Sequence, residues 1–190
     1  MSGLTLSDED RQAIELLRRK DVGVLCNVSA HLINETNGAM VVTCSDGDQL
    51  RDVFRHHEKV CRHHRANTRI HMFSLNGGAK LIAESSPLRV HNEDQVLLAH
   101  ITAARSMKQI ETVVLYAHAP CGAAYGHDLP FYRVLELLFE GKERVKREIP
   151  GIKVACFCHI DYGNNKKRTY FVSRERWVDW VQKSAGQPTR

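Results

Sequence analysis

The sequence predicts one α/β domain, built on a largely parallel central sheet with helices on both faces. Short apolar runs alternate with longer amphipathic segments along the chain, which is the pattern of strands joined by covering helices. The 190 residues suffice for one domain with its own core, and we find no internal repeat, low-complexity stretch or linker. We therefore expect residues 1–190 to form a single domain, with residues 1–20 as an N-terminal helical arm.

The first predicted helix covers residues 7–20. Ser7 with Asp10 three positions later is an acidic variant of the capping box, and Ile14 and Leu17 are among the apolar residues near one face. This apolar stripe needs a surface to pack on.

The remaining elements alternate in type. Strands are predicted over 22–27, 39–44, 69–73, 112–117, 152–160 and 168–172, and helices over 49–65, 92–107, 130–148 and 173–183. Pro130 suits the first turn of its helix, Ser173 caps the last helix, and residues 76–78 are predicted to form a turn. In parallel sheets of this class, sites form just beyond the carboxyl ends of the strands.

The composition argues against several classes of protein. The formal charge is +5 and the isoelectric point is near 8.9, but the basic residues are spread and no aromatic residues are interleaved with them. We therefore expect a solvated basic surface and no nucleic-acid partner. Six cysteines without a secretory signal indicate thiols or metal ligands rather than disulfides. No apolar run approaches the roughly 20 residues that cross a bilayer, so we expect a soluble, cytoplasmic protein.

Two segments at the ends of predicted strands carry metal-ligand chemistry. Cys44 ends one apolar run, with Asp46 two positions later, while His118 and Cys121 follow the run at 112–116. Thiolate and imidazole are ligands that zinc accepts in tetrahedral sites, and a set of three leaves a fourth position where water is activated. The alternative is that the cysteines are buried as small apolar residues and the histidine is hydrogen-bonded in a loop.

The order of these motifs resembles the β-class carbonic anhydrases, in which C-x-D-x-R and a later H-x-x-C-G supply the zinc ligands. The likeness spans roughly residues 7–172. It implies Cys44, His118 and Cys121 as ligands of Zn²⁺ and Asp46 as the catalytic carboxylate that orients a zinc-bound hydroxide. The implied reaction is the reversible hydration of carbon dioxide to bicarbonate. The resemblance also implies a homodimer or higher homo-oligomer in which the N-terminal helices pack on the partner.

The chain departs from this family pattern at two arginines. Asp48 stands where the C-x-D-x-R motif has arginine, and Leu75 replaces the arginine of the intervening turn. The first arginine keeps the aspartate ionised and off the metal, since an opposite charge within about 4 to 6 Å favours the charged form. Arg51 and Arg55 are candidates to replace it. Without a replacement, Asp46 can close the metal site, so two alternatives stay open: a zinc-binding relative without hydration activity, and a zinc hydrolase acting on another small substrate.

Other side chains of ligand type lie outside these motifs. Histidines and Cys61 crowd residues 56–64, where a second metal site is the weaker alternative to a solvated or interface cluster. Cys156 and Cys158 alternate along a predicted strand, which favours burial over ligation. His127 follows the second ligand segment and is a candidate proton shuttle.

Overall fold

Six strands form one sheet at the centre of the protein, of which the computed structural model describes residues 4–27, 38–61 and 69–185. The strands are β1 (Leu25–Asn27), β2 (Ala39–Cys44), β3 (Ile70–Leu75), β4 (Thr112–Ala119), β5 (Lys153–Asp161) and β6 (Lys167–Val172). Their order across the sheet is β1-β6-β5-β4-β2-β3. β2 to β5 pair in parallel, whereas β6 is antiparallel to both β5 and β1. The predicted α/β class with a largely parallel sheet is confirmed.

Helices cover both faces of this sheet. They are α1 (Asp8–Arg18), α2 (Gly47–Cys61), α3 (Glu93–Lys108), α4 (Gly122–Tyr125), α5 (Phe131–Glu148) and α6 (Arg174–Ala185), with a 3₁₀ helix at Gly78–Ile82. On one face, Val53 and Val60 of α2 pack in a small cluster with Val114 and Tyr116 of β4. The other helices bury their apolar residues in the main core. None of the described helices combines the length and apolar character that a membrane span requires.

The N-terminal helix packs on its own chain. Ser7 caps α1 as predicted, since its Oγ accepts a hydrogen bond from the Asp10 N–H at 3.0 Å. Asp10 Oδ1 in turn accepts from the backbone N–H of Phe131 at the start of α5. Ile14 and Leu17 are fully buried in the main core. The apolar stripe that was expected to pack on a partner is therefore already covered within the chain, and oligomerisation remains a prediction without this support.

Two local elements differ from prediction near the expected site. β4 continues to Ala119, so His118 lies inside the strand, where it is in register with His159 of β5. The turn predicted at 76–78 is observed at 76–77, but it is followed by a 3₁₀ helix at Gly78–Ile82 that was not predicted, in which Leu81 and Ile82 are buried in the core. Both changes arise from packing between segments that are distant in sequence.

Candidate metal centre

The three predicted ligands meet at one edge of the sheet. β2 ends at Cys44, and β4, its parallel neighbour, carries His118 near its end with Cys121 just beyond. The two sulfurs and one ring nitrogen of His118 all lie within 4.8 Å of one another, and all three residues are buried. Within the described residues this is the one group of three or more such side chains that can hold a metal ion.

A glycine allows the backbone to close around this group. Gly78 has a φ of +57°, and a Cβ added there would lie 2.3 Å from the backbone nitrogen of Cys44 and 2.4 Å from the carbonyl carbon of Thr43. Glycine adopts this backbone conformation and this close approach without steric cost. The start of the 3₁₀ helix can therefore press directly against the end of β2.

The ring of His118 is oriented for metal binding. Its Nδ1 lies 2.8 Å from the carbonyl oxygen of Pro120, an acceptor, so Nδ1 carries the proton and donates it. The other nitrogen, Nε2, then presents a lone pair, yet it is buried and has no hydrogen-bond partner among the described residues. A buried nitrogen acceptor without a hydrogen-bond partner, next to two cysteine sulfurs, is typical of a metal ligand. The residues thus fit a metal ion.

The two cysteines share one proton. The hydrogen bond between the thiols raises the pKa of Cys44, as does its burial. At Cys121 the hydrogen bond from Cys44 lowers the pKa well below the usual value of a thiol, despite burial. The lowered pKa favours the thiolate form of Cys121. Thiolates are the form in which cysteine ligates metal.

Asp46 lies beside these ligands but outside the ligand set. Its Oδ2 is 4.0 Å from His118 Nε2, and its Oδ1 accepts the backbone N–H of Asp48 at 3.0 Å. The carboxylate therefore caps the N-terminus of α2, whose first turn also bonds to the Asp46 carbonyl. Asp46 is not among the side chains whose ligand atoms all lie within 4.8 Å of one another.

Among the described residues, no guanidinium replaces the arginine that the family pattern has at position 48. Arg51 and Arg55 are exposed on α2, and no ion pair joins either to Asp46 in this part of the chain. A basic side chain that does bind this turn is Lys167, whose Nζ donates to the Asp48 carbonyl at 2.9 Å and pairs with Asp52 at 3.0 Å. What holds the Asp46 carboxylate is a backbone N–H.

Sequence reasoning missed Lys80. Its side chain is fully buried, and its Nζ donates a hydrogen bond to Cys121 Sγ at 3.4 Å. Its position in the glycine-rich segment suggested a turn, for which an exposed lysine is usual. The one available signal is that this lysine directly precedes an apolar stretch at residues 81–83.

A small cavity of about 150 Å³ opens beside the ligands. His118 and Cys121 form one wall, and Tyr125, the neighbour of the predicted shuttle His127, also lines it. The other walls are mostly apolar and include Leu4, Leu6, Ala119, Pro120, Ala124, Leu129, Phe131 and Val134. His127 itself is exposed and does not line the cavity.

The remaining ligand-type residues serve the core. Cys156 and Cys158 are fully buried in β5, as predicted. In α2, Nε2 of His57 lies 3.3 Å from Cys61 Sγ, and the OH of Tyr116 lies 3.0 Å from Nδ1 of His56. Residues 63 and 64 of the predicted histidine cluster lie outside the described residues. No disulfide joins the cysteines in the described part of the chain.

Comparisons with known proteins return distant structural likenesses. No family model matches the chain, and no curated protein matches it. It is similar to the carbonic anhydrase from Streptococcus mutans, at 15% identity over 90% of this chain and 100% of that chain, with a TM-score of 0.48. It is also similar to the β-carbonic anhydrase CafD of Aspergillus fumigatus, at 11% identity over 78% of this chain and 99% of that chain, with a TM-score of 0.46. A third similar structure is the apo form of a carbon disulfide hydrolase, at 11% identity over 96% of this chain and 95% of that chain, with a TM-score of 0.44. These values establish neither a family nor a reaction for this chain.

Proposed function

We propose that this protein is a zinc-dependent enzyme that reversibly hydrates carbon dioxide to bicarbonate, with Cys44, His118 and Cys121 as the metal ligands. The observation that carries the proposal is the buried, unpartnered Nε2 of His118 beside two cysteine sulfurs. A set of two thiolates and one imidazole suits zinc and leaves a fourth position open. When bound there, zinc supplies a Lewis acid that makes water a nucleophile at neutral pH.

Asp46 is the catalytic carboxylate in this proposal. With Oδ1 held by the Asp48 N–H, its Oδ2 is left 4.0 Å from His118 Nε2, at the edge of the ligand group. From there it accepts a hydrogen bond from the attacking oxygen and turns the lone pair of that oxygen toward the substrate carbon. Asp46 lies at the N-terminus of α2, whose partial positive charge attracts a carboxylate. In this proposal the helix N-terminus takes the place of the arginine that the family pattern has at position 48.

The cavity beside the ligands suits a small, uncharged substrate. Its walls are mostly apolar, and its volume is about 150 Å³. An apolar pocket admits carbon dioxide at little desolvation cost, whereas the charged product is less well solvated there and leaves toward water. His118 and Cys121 form one wall, so a substrate in the cavity lies next to the metal ligands.

Stopped-flow hydration of carbon dioxide by zinc-loaded protein tests this proposal. We expect the wild type to be active and Asp46→Asn to lose about 100-fold or more in rate, because the amide keeps the helix cap but cannot accept in the same way. Zinc content should remain stoichiometric in this variant. Cys121→Ser should lose most of its zinc.

Asp48→Arg tests whether the backbone N–H of residue 48 is enough to hold the Asp46 carboxylate without an arginine side chain. The Asp48 side chain is exposed and only its backbone N–H holds Asp46, so we expect this variant to hydrate carbon dioxide at nearly the wild-type rate. An inactive wild type whose Asp48→Arg variant is active would instead show that Asp46 closes the site. Wild-type protein that holds zinc but hydrolyses a different small substrate would favour a zinc hydrolase.

A further inference from the structure

Lys80 is a charged side chain in a place that does not solvate charge. It is fully buried in the 3₁₀ helix, between the apolar neighbours Ala79 and Leu81, which are also buried. Burial of an ammonium group is costly unless an anion or several acceptors compensate it. Within the described part of the chain, no ion pair joins Lys80 to a carboxylate, and Cys121 Sγ is the one acceptor to which its Nζ donates a hydrogen bond.

The acceptor that lies against the Lys80 ammonium is one of the three candidate metal ligands. The Nζ of Lys80 lies 3.4 Å from Cys121 Sγ, a contact that suits an ammonium and a thiolate.

We propose that Lys80 is a positioning residue of the metal centre, whose hydrogen bond fixes Cys121 Sγ and draws electron density from that sulfur. The inference rests on the proposed metal site. Two thiolates cancel the charge of a divalent cation, and the ammonium of Lys80 adds one positive charge beside one of them. A sulfur that donates less leaves the bound metal a stronger Lewis acid. Lys80 thereby supports the activation of water without touching the substrate.

Cobalt substitution tests the effect on the sulfur directly. Co²⁺-loaded wild type should show a thiolate-to-cobalt charge-transfer band in the near ultraviolet. In Lys80→Met and Lys80→Gln that band should move to longer wavelength, because a sulfur without the ammonium gives up its electrons more easily. Lys108→Met, on the exposed side of α3, is the control and should leave the band unmoved. Since glutamine keeps a donor but carries no charge, an equal shift in both variants assigns the effect to the charge.

A cycle of variants in metal-free protein tests the pairing. We expect Cys121→Ala to lower the folding equilibrium constant about tenfold more when Lys80 is present than in a Lys80→Met background, because only then is a buried ammonium left without its hydrogen-bond acceptor. If Lys80→Met does not fold alone, restored folding in the double variant supports the pairing, and a double variant that also fails contradicts it.

The outcomes separate this inference from the proposed function. An unmoved cobalt band in both Lys80 variants at full cobalt occupancy, or additive effects in the cycle, would overturn the role of Lys80 whatever the hydration rate. If the wild type shows the band and the Lys80 variants shift it, but the wild type hydrates no carbon dioxide, the proposed reaction would be overturned and the role of Lys80 supported. Absence of the band from cobalt-treated wild type would overturn both.

Discussion

At the scale of single residues, the geometry of the candidate metal centre depends on one glycine as well as on the candidate ligands. Gly78 lies where any side chain would collide with the backbone of Cys44 and Thr43. Gly78→Ala should therefore lower the free energy of unfolding by about 3 kcal/mol, from overpacking and a strained positive φ, and should reduce zinc content by displacing Cys44. Chemical denaturation and metal analysis measure the two effects.

Gly47→Ala is the matched control for this prediction. Gly47 begins α2 close to Asp46, but an added Cβ there meets no atom within 4 Å. Its stability and zinc content should equal or slightly exceed those of the wild type, since alanine favours a helix. Equal behaviour of the two variants would contradict the steric account of Gly78.

The three candidate ligands were identifiable from the sequence, whereas the position of Lys80 was not. Cys44, His118 and Cys121 stand at the ends of apolar runs and have the side chains that zinc prefers, so pattern and chemistry indicate them together. Lysine is a residue that is almost never buried without a partner. The partner of Lys80 is Cys121, 41 positions away, and nothing in the local sequence pattern predicts that contact.

At the scale of elements, a buried ion pair joins α3 to α5. Asp94 Oδ2 accepts from Arg144 at 2.6 Å, and Arg144 also donates to the carbonyl of Ile82 in the 3₁₀ helix at 2.9 Å. Burial alone would raise the pKa of the Asp94 carboxyl, but the hydrogen bond and charge of Arg144, with the charge of Arg89, lower it below its usual value. The pair therefore joins α3, α5 and the 3₁₀ helix that carries Lys80.

Removing the Asp94 carboxylate should destabilise the fold, because the buried Arg144 guanidinium loses its partner. We expect Asp94→Asn to lower the free energy of unfolding by about 3 kcal/mol near pH 7. Because the folded pKa of Asp94 is depressed, its contribution is full above the unfolded value near 3.9 and is lost as pH falls through the folded value. The difference in the free energy of unfolding between Asp94→Asn and the wild type should therefore become smaller at acidic pH.

Asp21→Asn is the control for this pair. Asp21 makes an exposed ion pair with Arg19, which solvent screens, so the variant should unfold at nearly the wild-type denaturant concentration. An Asp94→Asn protein that is as stable as Asp21→Asn at pH 7 would contradict the role of the buried pair.

Element boundaries were predictable where the local signal is strong. The Ser7 cap of α1 and the caps at Pro130 and Ser173 are observed at or next to the predicted positions. β4 extends beyond its predicted end at residue 117, and the 3₁₀ helix at 78–82, which follows the predicted turn, was not predicted. In both places pairing or burial against distant segments determines the backbone, which the local pattern does not show.

At the scale of the whole molecule, buried histidines should make the fold sensitive to acid. Burial, aided at His56 by the charges of His159 and Lys59, lowers the pKa of both His56 and His57 to about 4. Below pH 6.5, the histidine pKa in the unfolded chain, these two histidines are protonated in the unfolded chain but stay neutral in the folded chain until about pH 4. Stability is therefore full above pH 6.5 and is lost between about 6.5 and 4, by at most about 1.4 kcal/mol per group and pH unit.

His57→Gln measures one part of this loss. Glutamine does not titrate, so the variant should lose less stability than the wild type between pH 7.5 and pH 5 in urea titrations, even if it is less stable at both values. His127→Gln changes an exposed histidine and should follow the wild type. A His57→Gln protein with the full wild-type pH dependence would contradict the assignment.

The sequence by itself determined the alternation of strands and helices, the class of the sheet and the side chains able to bind metal. These depend on periodicity and residue chemistry within short segments, which a single chain displays directly. Only the tertiary structure decided that α1 packs on its own chain, that the Asp48 N–H rather than a guanidinium holds Asp46, and that Lys80 lies against Cys121. Each of these depends on backbone direction or on contacts between distant segments, and their free energies exist only once the core has formed.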